Sequence, residues 1–142
     1  MSIWFEEYTV EQLNSIRNKN MSNNLGIEFT EVGNDFLIAK MPVDERTTQP
    51  FGILHGGASC VLVETLGSVA AWMCIDPNEK FVVGLDINAN HVRSVTDGVI
   101  IGTAKPLHIG RSTHVWQMKL HNDDGKLVCV GRLTVLVKDN KK

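Results

Sequence analysis

The most apolar segment of the chain lies near its middle. Residues 58–75, with the sequence ASCVLVETLGSVAAWMCI, are 18 mostly hydrophobic positions. A membrane-spanning helix needs about 20 such residues, and a carboxylate at its centre, as Glu64 would be, opposes insertion by about 2.5–3.5 kcal/mol. We therefore predict a soluble helix over residues 54–75, buried on every side and ended by the sequence Asp76-Pro77-Asn78.

Shorter patterns on both sides predict one further helix and six strands. Thr9 and Gln12 have the spacing of a capping box, which starts a short amphipathic helix that ends near Asn20. The residues that define this helix are Val10, Leu13, Ile16 and Arg17. Alternating hydrophobic and polar positions bounded by turn sequences predict strands over residues 25–32, 36–43, 81–92, 99–107, 113–121 and 127–137.

This order of elements predicts an α+β domain. A short helix, two strands, one long helix and a meander of four strands form a hotdog fold, in which an antiparallel β-sheet wraps around one long central helix. One face of the sheet is buried, with either Val99, Ile101 and Thr103 or Trp116, Met118 and Leu120 alternating inward. The sheet edge favours pairing with a second copy, so we expect a dimer. A single domain over residues 1–138 is followed by a solvated tail, 139–142.

Composition narrows the function classes. The 142 residues carry 14 Lys and Arg against 16 Asp and Glu, a net charge of −2 that argues against binding nucleic acid. The cysteines, Cys60, Cys74 and Cys129, are odd in number and lack C-x-x-C spacing, and the five histidines lack a metal-binding spacing, so we expect neither disulfides nor a metal. The N-terminal segment has no export signal, which favours the cytoplasm and no membrane association.

Two consecutive glycines, Gly56 and Gly57, stand at the start of the predicted long helix. The first N–H groups of a helix lack intrahelical acceptors, and the macrodipole is positive there. A glycine also lets a ligand approach the backbone closely, so the Gly56 N–H is a candidate for polarising a carbonyl group and stabilising an oxyanion. Close packing at a loop-to-helix junction is the alternative interpretation.

Glu64 is a carboxylate within the predicted core helix. Such a group is costly to ionise unless it is paired or reaches a wet cleft. A functional Glu64 is either a nucleophile that forms a mixed anhydride with an acyl group or a general base that activates water, and the sequence leaves both open. The alternative is a structural glutamate that hydrogen-bonds to the backbone or to Ser68, one turn further on.

Spacing along the helix adds a prediction about assembly. His55 and Glu64 are nine residues apart, which is about 13.5 Å of rise and two and a half turns, so they lie on opposite faces. If both serve one reaction, Glu64 of one chain must face Gln49, His55 and Gly56 of another. Catalysis then requires a dimer.

Several motifs together resemble one known family over nearly the whole chain. They are TQPFGILHGGAS at 48–59, ETLGS at 64–68, VGL at 83–85, INANHVRS at 87–94 and KPLHIG at 105–110. This combination resembles the hotdog acyl-CoA thioesterases of the 4-hydroxybenzoyl-CoA type. The resemblance implies hydrolysis of an acyl-CoA or acyl-carrier-protein thioester to a free acid and a thiol. It implies no cofactor, since coenzyme A is part of the substrate, and composite sites in a dimer or a dimer of dimers.

The expected acyl group is aromatic, such as the 1,4-dihydroxy-2-naphthoyl group of menaquinone biosynthesis, with benzoyl, phenylacetyl and medium-chain fatty acyl groups as rivals. Two other function classes remain: a hydratase acting on enoyl-thioesters, and a non-catalytic acyl-CoA-binding protein. The sequence contains no Gly-x-Ser-x-Gly motif, which argues against a serine hydrolase.

The resemblance also assigns site residues. The catalytic set is Glu64, Gln49, His55, Gly56 and Ser68. Gln49 is a candidate for orienting water or the thioester, His55 for holding the loop or approaching the sulfur, and Ser68 for sharing the water of Glu64. The segments that contact substrate and coenzyme A comprise Gly84, His91, Val92, Arg93, Ser94, His108, Ile109, Gly110, Arg111, Ser112 and Thr113. The guanidinium groups of Arg93 and Arg111 are candidates for binding phosphate.

Overall fold

The computed structural model describes residues 1–16 and 19–141. The predicted helical position Arg17 and the tail residue Lys142 lie outside these ranges. In chain order the elements are α1 (Val10–Ser15), α2 (Met21–Asn24), β1 (Glu28–Val32), β2 (Leu37–Pro42), α3 (Gly56–Met73), β3 (Lys80–His91), β4 (Val99–Ile109), β5 (Thr113–His121) and β6 (Leu127–Asp139).

The strands form one six-stranded antiparallel sheet packed on the long helix α3, which confirms the predicted hotdog architecture. The strand order is β1-β2-β4-β5-β6-β3. The predicted four-strand meander is therefore wrong for β3, which pairs with β6 at the far edge instead of with β4. Alternation along a strand determines which residues share a face, and it carries no information about the neighbouring strand.

The set of alternate positions that are buried on β4 also differs from one of the two predicted patterns. Trp116 and Met118 of β5 are fully buried, as predicted. On β4, however, Ile100 and Ala104 are buried in place of the predicted Val99, Ile101 and Thr103. The cause is the register, because directly paired residues share a face of the sheet and Ala104 pairs with Met118.

The segment before β1 contains a helix that was not predicted. The capping box of α1 is confirmed, with the Gln12 N–H donating to Thr9 Oγ1 over 3.2 Å, but α1 ends at Ser15. A one-turn helix, α2, follows, capped by the side chain of Asn20, which accepts from the N–H of Asn23 over 3.1 Å. Consequently β1 starts at Glu28, three residues later than predicted.

The helix α3 is buried on one face only, which corrects the prediction of burial on every side. Its buried face includes Leu62, Val63 and Leu66, whereas Glu64 and Ser68 are half-buried. The sheet covers one face of the helix. An apolar sequence pattern does not show which face the same chain buries and which face it leaves partly exposed. In the described part of the chain α3 alone is long and apolar enough to cross a membrane, yet it is the core helix of a soluble domain.

The C-terminal boundary lies later than predicted. Strand β6 extends to Asp139, where Lys80 Nζ donates to the carboxylate over 3.0 Å. The side-chain amide of Asn140 then donates to the carbonyl oxygen of Pro77 over 3.2 Å. Residues 139 and 140 are thus attached to the fold instead of belonging to a solvated tail, because the long β3 strand offers pairing partners up to that point.

Candidate active site

A cleft of about 440 Å³ lies at the N-terminus of α3. Its walls come from four parts of the chain: the loop before the helix, the first turn of the helix, the end of β3 with the residues that follow it, and the start of β6. Among the predicted site residues, the cleft brings together Gln49, Gly56, His91, Val92, Arg93 and Ser94. Residues distant in sequence thus converge on the helix end, where the macrodipole favours a negatively charged ligand.

Gly56 presents a backbone N–H to this cleft. The neighbouring donors are used, since Gly57 N–H donates to His55 Nδ1 over 2.7 Å and Ala58 N–H donates to the His55 carbonyl over 3.0 Å. Within the residues that the structure describes, no acceptor is found for the Gly56 N–H. A Cβ at Gly56 would lie 2.9 Å from His91 Nε2, so glycine keeps the imidazole close to the helix end. The N–H is available to a ligand oxygen.

His55 serves as the N-cap of α3. Its Nδ1 atom accepts a hydrogen bond, so the neutral ring carries its hydrogen on Nε2 and can donate from that side. The backbone of His55 is anchored as well, because its N–H donates to the Thr47 carbonyl over 2.8 Å. These hydrogen bonds attach His55 to the loop and to the helix start, and one ring N–H remains for a ligand.

Gln49 lies in a tightly turned loop that precedes the helix. Its side-chain oxygen accepts from the N–H of Phe51, and its own N–H donates to the Ile53 carbonyl over 2.8 Å. Gly52 closes the turn with a φ of +82°, a conformation that favours glycine. Since the oxygen of the Gln49 amide is occupied, its NH₂ group is the part left to donate to a ligand.

Glu64 lines a different pocket, of about 290 Å³, on the half-buried face of α3. Its carboxylate lies against the backbone of Gly84 on β3, where an added Cβ would be 2.5 Å from Oε1. Across the described ranges Glu64 makes no hydrogen bond or ion pair, so the structural alternative, a bond to Ser68 or to the backbone, is not formed. The carboxylate is positioned by packing and is open to a ligand.

The two pockets do not share a residue. Eight helical residues separate Gly56 from Glu64, a rise of about 12 Å. Within one chain the structure therefore does not bring Glu64 together with Gln49, His55 and Gly56, in agreement with the spacing argument. Ser68, one turn after Glu64, is half-buried on the same side of α3 and lines neither pocket.

The predicted contact segment at 108–113 forms the turn between β4 and β5, closed by a 2.9 Å hydrogen bond from Gly110 N–H to the Thr113 carbonyl. The sheet register places it two strands away from Gly84, the residue that Glu64 contacts, because Gly84 pairs with Val135, which pairs with His114. Gly84 and His114 are therefore two strand spacings apart, which is about 9–10 Å. The turn therefore lies at the opposite end of the sheet from Arg93, whose Nε donates to the Leu127 carbonyl over 3.2 Å.

His114 is an additional buried polar group beside this turn. Burial lowers the pKa of His114, the nearby His108 acts in the same direction, and a hydrogen bond with the Gly110 backbone opposes them. Its Nδ1 atom has no hydrogen-bond partner in the part of the chain that the structure covers. The folded protein thus favours the neutral imidazole.

Sequence reasoning missed several residues of the Glu64 pocket. Cys60 lies four residues before Glu64 on the same helix, and this spacing could have indicated it, whereas Thr65 directly follows Glu64 and helical spacing does not indicate it. Ser22 and Ile87 come from α2 and β3. No local pattern could have identified these two, since their place depends on how α2 and β3 pack against α3.

An antiparallel sheet around one long helix defines a hotdog-like fold, and here an unpaired carboxylate lies on the helix and a free amide at its N-terminus. The chain belongs to the Thioesterase superfamily, whose family model matches residues 51–129. It is 50% identical over 135 residues to the 1,4-dihydroxy-2-naphthoyl-CoA hydrolase of Escherichia coli, covering 95% of this chain and 98% of that protein.

Two further relatives agree with this assignment. The proofreading thioesterase EntH of Cronobacter turicensis is 44% identical, with 95% of this chain and 98% of that protein covered. The crystal structure of a mutant of thioesterase PA1618 from Pseudomonas aeruginosa superposes with a TM-score of 0.96 at 45% identity, covering 98% of this chain and 100% of that one. The chain is accordingly an enzyme of the thioesterase and esterase class.

Proposed function

We propose that this enzyme hydrolyses acyl-CoA thioesters in a site built from two chains. Glu64 of one chain supplies the catalytic carboxylate, and the helix N-terminus of the other supplies the Gly56 N–H, together with Gln49 and His55. The observation that carries the proposal is the state of Glu64, an unpaired carboxylate in an open pocket beside an unpaired strand edge. A purely structural glutamate on this helix would have hydrogen-bonding partners.

Hydrolysis can follow two routes, and in both the Gly56 N–H stabilises the oxyanion. As a general base, Glu64 takes a proton from water while the water oxygen attacks the thioester carbon; the oxyanion accepts a hydrogen bond from the Gly56 N–H. The C–S bond then breaks, and the proton passes from Glu64 to the departing thiolate. As a nucleophile, Glu64 attacks the carbon itself, expels the thiolate and forms a mixed anhydride that water hydrolyses. Both routes give a carboxylic acid and a thiol.

The edge strand β3 supports the assembly that the site needs. It has 12 residues, pairs on one side only, and exposes Val83 and Leu85 to 43% and 61%. A long apolar edge of this kind is suited to pairing with a second copy. Antiparallel pairing of β3 with its copy about an axis near Ile87 and Asn88 would set Gly84 opposite the partner's His91. Since Gly84 touches Glu64 and His91 touches Gly56, that register completes the proposed site.

The substrate side follows from the same arrangement. We assign coenzyme A, or the phosphopantetheine arm of a carrier protein, to the contact segments named above, with Arg111 of one chain and the partner's Arg93 near its phosphates. Ser68 lies one turn after Glu64 on the same side of the helix, and we assign it to sharing the reacting water with Glu64. The identity with the Escherichia coli hydrolase supports an aromatic acyl group such as 1,4-dihydroxy-2-naphthoyl, and hence a cytoplasmic role in menaquinone biosynthesis.

The first experiment replaces the carboxylate. We expect Glu64→Gln to reduce kcat for 1,4-dihydroxy-2-naphthoyl-CoA and benzoyl-CoA by about 10²–10⁴-fold, the usual contribution of acid–base catalysis. The matched control is Glu31→Gln on the exposed face of β1, which should keep wild-type turnover. Thiol release would be followed with a chromogenic disulfide and binding with a non-hydrolysable thioether. Unchanged turnover in Glu64→Gln would overturn the proposal.

A single-turnover reaction in H₂¹⁸O with excess enzyme separates the two routes. A mixed anhydride allows water to attack the enzyme carbonyl, which leaves ¹⁸O in the peptide that contains Glu64. General-base catalysis puts the label only in the released acid. Mass spectrometry of the digested enzyme therefore identifies the nucleophilic role of Glu64 when the peptide that contains it carries ¹⁸O.

A further inference from the structure

A second pocket lies next to the Glu64 pocket and shares Ser22 and Thr65 with it. It has a volume of about 200 Å³; its hydrophobic lining is Leu13, Ile16, Ile27, Phe29 and Val69, and Asn14, Asn20 and Asn23 line the rest. Leu13, Ile27 and Phe29 are at most 7% exposed, so these walls belong to the rigid core. We call this space the rear pocket. An apolar cavity of about 150 Å³ is large enough to hold benzene, so the rear pocket has room for a ring or a short alkyl segment.

Ser22 and Thr65 line both pockets and form the partition between them. Their hydroxyl oxygens are 3.2 Å apart, a hydrogen bond that connects α2 to α3. Thr65 follows Glu64 directly on the helix. Ser22 is held in place by its carbonyl oxygen, which accepts from the Ile27 N–H over 2.9 Å. The partition therefore joins two separately anchored elements.

We infer that the Ser22–Thr65 pair determines acyl-chain selectivity, because it controls access from the Glu64 pocket to the rear pocket. This inference rests on the proposed function, which places the thioester carbon beside Glu64. An acyl group that extends from this position along α3 meets Thr65 first and Val69 one turn later, about 6 Å further on. None of the described residues that line the rear pocket is charged, so the ligand portion that fits there is uncharged, with its hydrocarbon part against Leu13, Ile27, Phe29 and Val69. Longer acyl groups require the partition to open.

The hydroxyl contact can be removed without unfolding the protein, because a neutral hydrogen bond contributes little net stability. We therefore choose Thr65→Ala and Ser22→Ala to open the partition from each side, and Val69→Phe to fill the rear pocket. The matched control is Thr30→Ala on the exposed face of β1. Thermal unfolding of each variant verifies that it is folded.

The readout is kcat/KM for butanoyl-, octanoyl- and dodecanoyl-CoA. Both opening variants should raise the ratio of dodecanoyl to butanoyl kcat/KM by about tenfold, and Val69→Phe should lower it by about tenfold, the scale on which apolar pockets discriminate. In the Thr30→Ala control, hydrolysis of all three substrates should stay within about twofold of wild type, and in the partition variants butanoyl-CoA hydrolysis should change less than dodecanoyl-CoA hydrolysis. The change should fall mainly on KM, because contacts far from the reacting carbon bind ground and transition states alike.

A change that is uniform across chain lengths, or a profile that none of the three variants shifts, would overturn the inference while wild-type hydrolysis of butanoyl-CoA leaves the proposed function intact. If the wild-type protein hydrolyses none of these substrates and no aromatic acyl-CoA, the proposed function fails and the inference fails with it. An equal shift in Thr30→Ala would likewise contradict a role specific to the partition.

Discussion

The two faces of α3 have the same apolar character in sequence and different roles in the fold. One face packs on the sheet through Leu62, Val63 and Leu66, each fully buried. The other face carries Glu64 and Ser68, is half-buried, and borders the free edge of β3. The first face stabilises the domain, and the second offers an unpaired carboxylate to a ligand and to a second chain. A helix can thus carry core and site together when a sheet covers only one of its faces.

The largest expected effect comes from breaking the buried face. Leu66→Ala removes a fully buried side chain and should cost about 2–5 kcal/mol of unfolding free energy. At temperatures where the variant remains folded, kcat should stay close to wild type. Chemical denaturation combined with a thioesterase assay checks both quantities, and a loss of kcat that exceeds the loss of folded protein would show that the faces are not separable.

Substitutions at two glycines test the same difference between the two faces of α3. A Cβ at Gly84 would displace the Glu64 carboxylate, whereas a Cβ at Gly131 would press on Val63 of the buried face, 2.7 Å away. We expect Gly84→Ala to reduce kcat by up to about 10²-fold with little change in unfolding temperature, since a small misplacement of a catalytic group is costly. Gly131→Ala should do the reverse. Variants with matching effects on both quantities would contradict this division.

The β3 edge should pair with its copy. When each chain carries both Ile87→Cys and Asn88→Cys, the proposed register sets each thiol directly opposite a thiol of the partner, where strand separation falls within the range that a disulfide spans. We expect a covalent dimer under mild oxidation, seen on a non-reducing gel. Thr30→Cys on the opposite edge strand β1 is the control and should remain uncrosslinked; equal crosslinking of both would argue for random collision.

A smaller effect is expected on the pH dependence of stability, through His114 on the buried side of the sheet. The pKa of His114 is lowered in the folded protein, while the unfolded chain has its ordinary value of about 6.5. As the pH falls below about 6.5, the unfolded chain takes up a proton before the folded one does, so stability declines. The unfolding temperature of His114→Asn should therefore fall less than that of the wild type when the pH is lowered from about 7.5 to about 5.5. Equal losses would contradict this assignment.

The smallest effect concerns thiol reactivity. Burial raises the pKa of Cys129 to about 11 and that of Cys74 to about 12, so neither forms much thiolate near neutral pH. Cys60 is half-buried and lines the Glu64 pocket. Iodoacetamide should modify Cys60 first, and a non-hydrolysable acyl-CoA thioether should slow the reaction. Peptide mass spectrometry would detect either outcome, and preferential labelling of Cys129 would contradict it.

The sequence predicted those features that depend on local pattern. Alternation placed six strands, with β5 correct at both ends, and the capping box at Thr9 and Gln12 is formed. The separation of His55 from Glu64 followed from helical rise alone. Features that depend on packing between distant segments were not predictable. One is the pairing of β3 with β6, and another is which positions of β4 are buried, since this follows from its register with β5. A third is the contact between Ser22 and Thr65, which are 43 residues apart in the chain.

The central claim, that one site uses two chains, is tested most directly by mixing inactive variants. Glu64→Gln and Gln49→Ala would be unfolded together in equal amounts and refolded, so that half of the dimers are mixed. If the site is composite, each mixed dimer contains one intact site, and the mixture should recover about a quarter of wild-type activity. If Glu64 and Gln49 of the same chain act together, every site carries a defect, and the mixture will show no more than the average of the two variants.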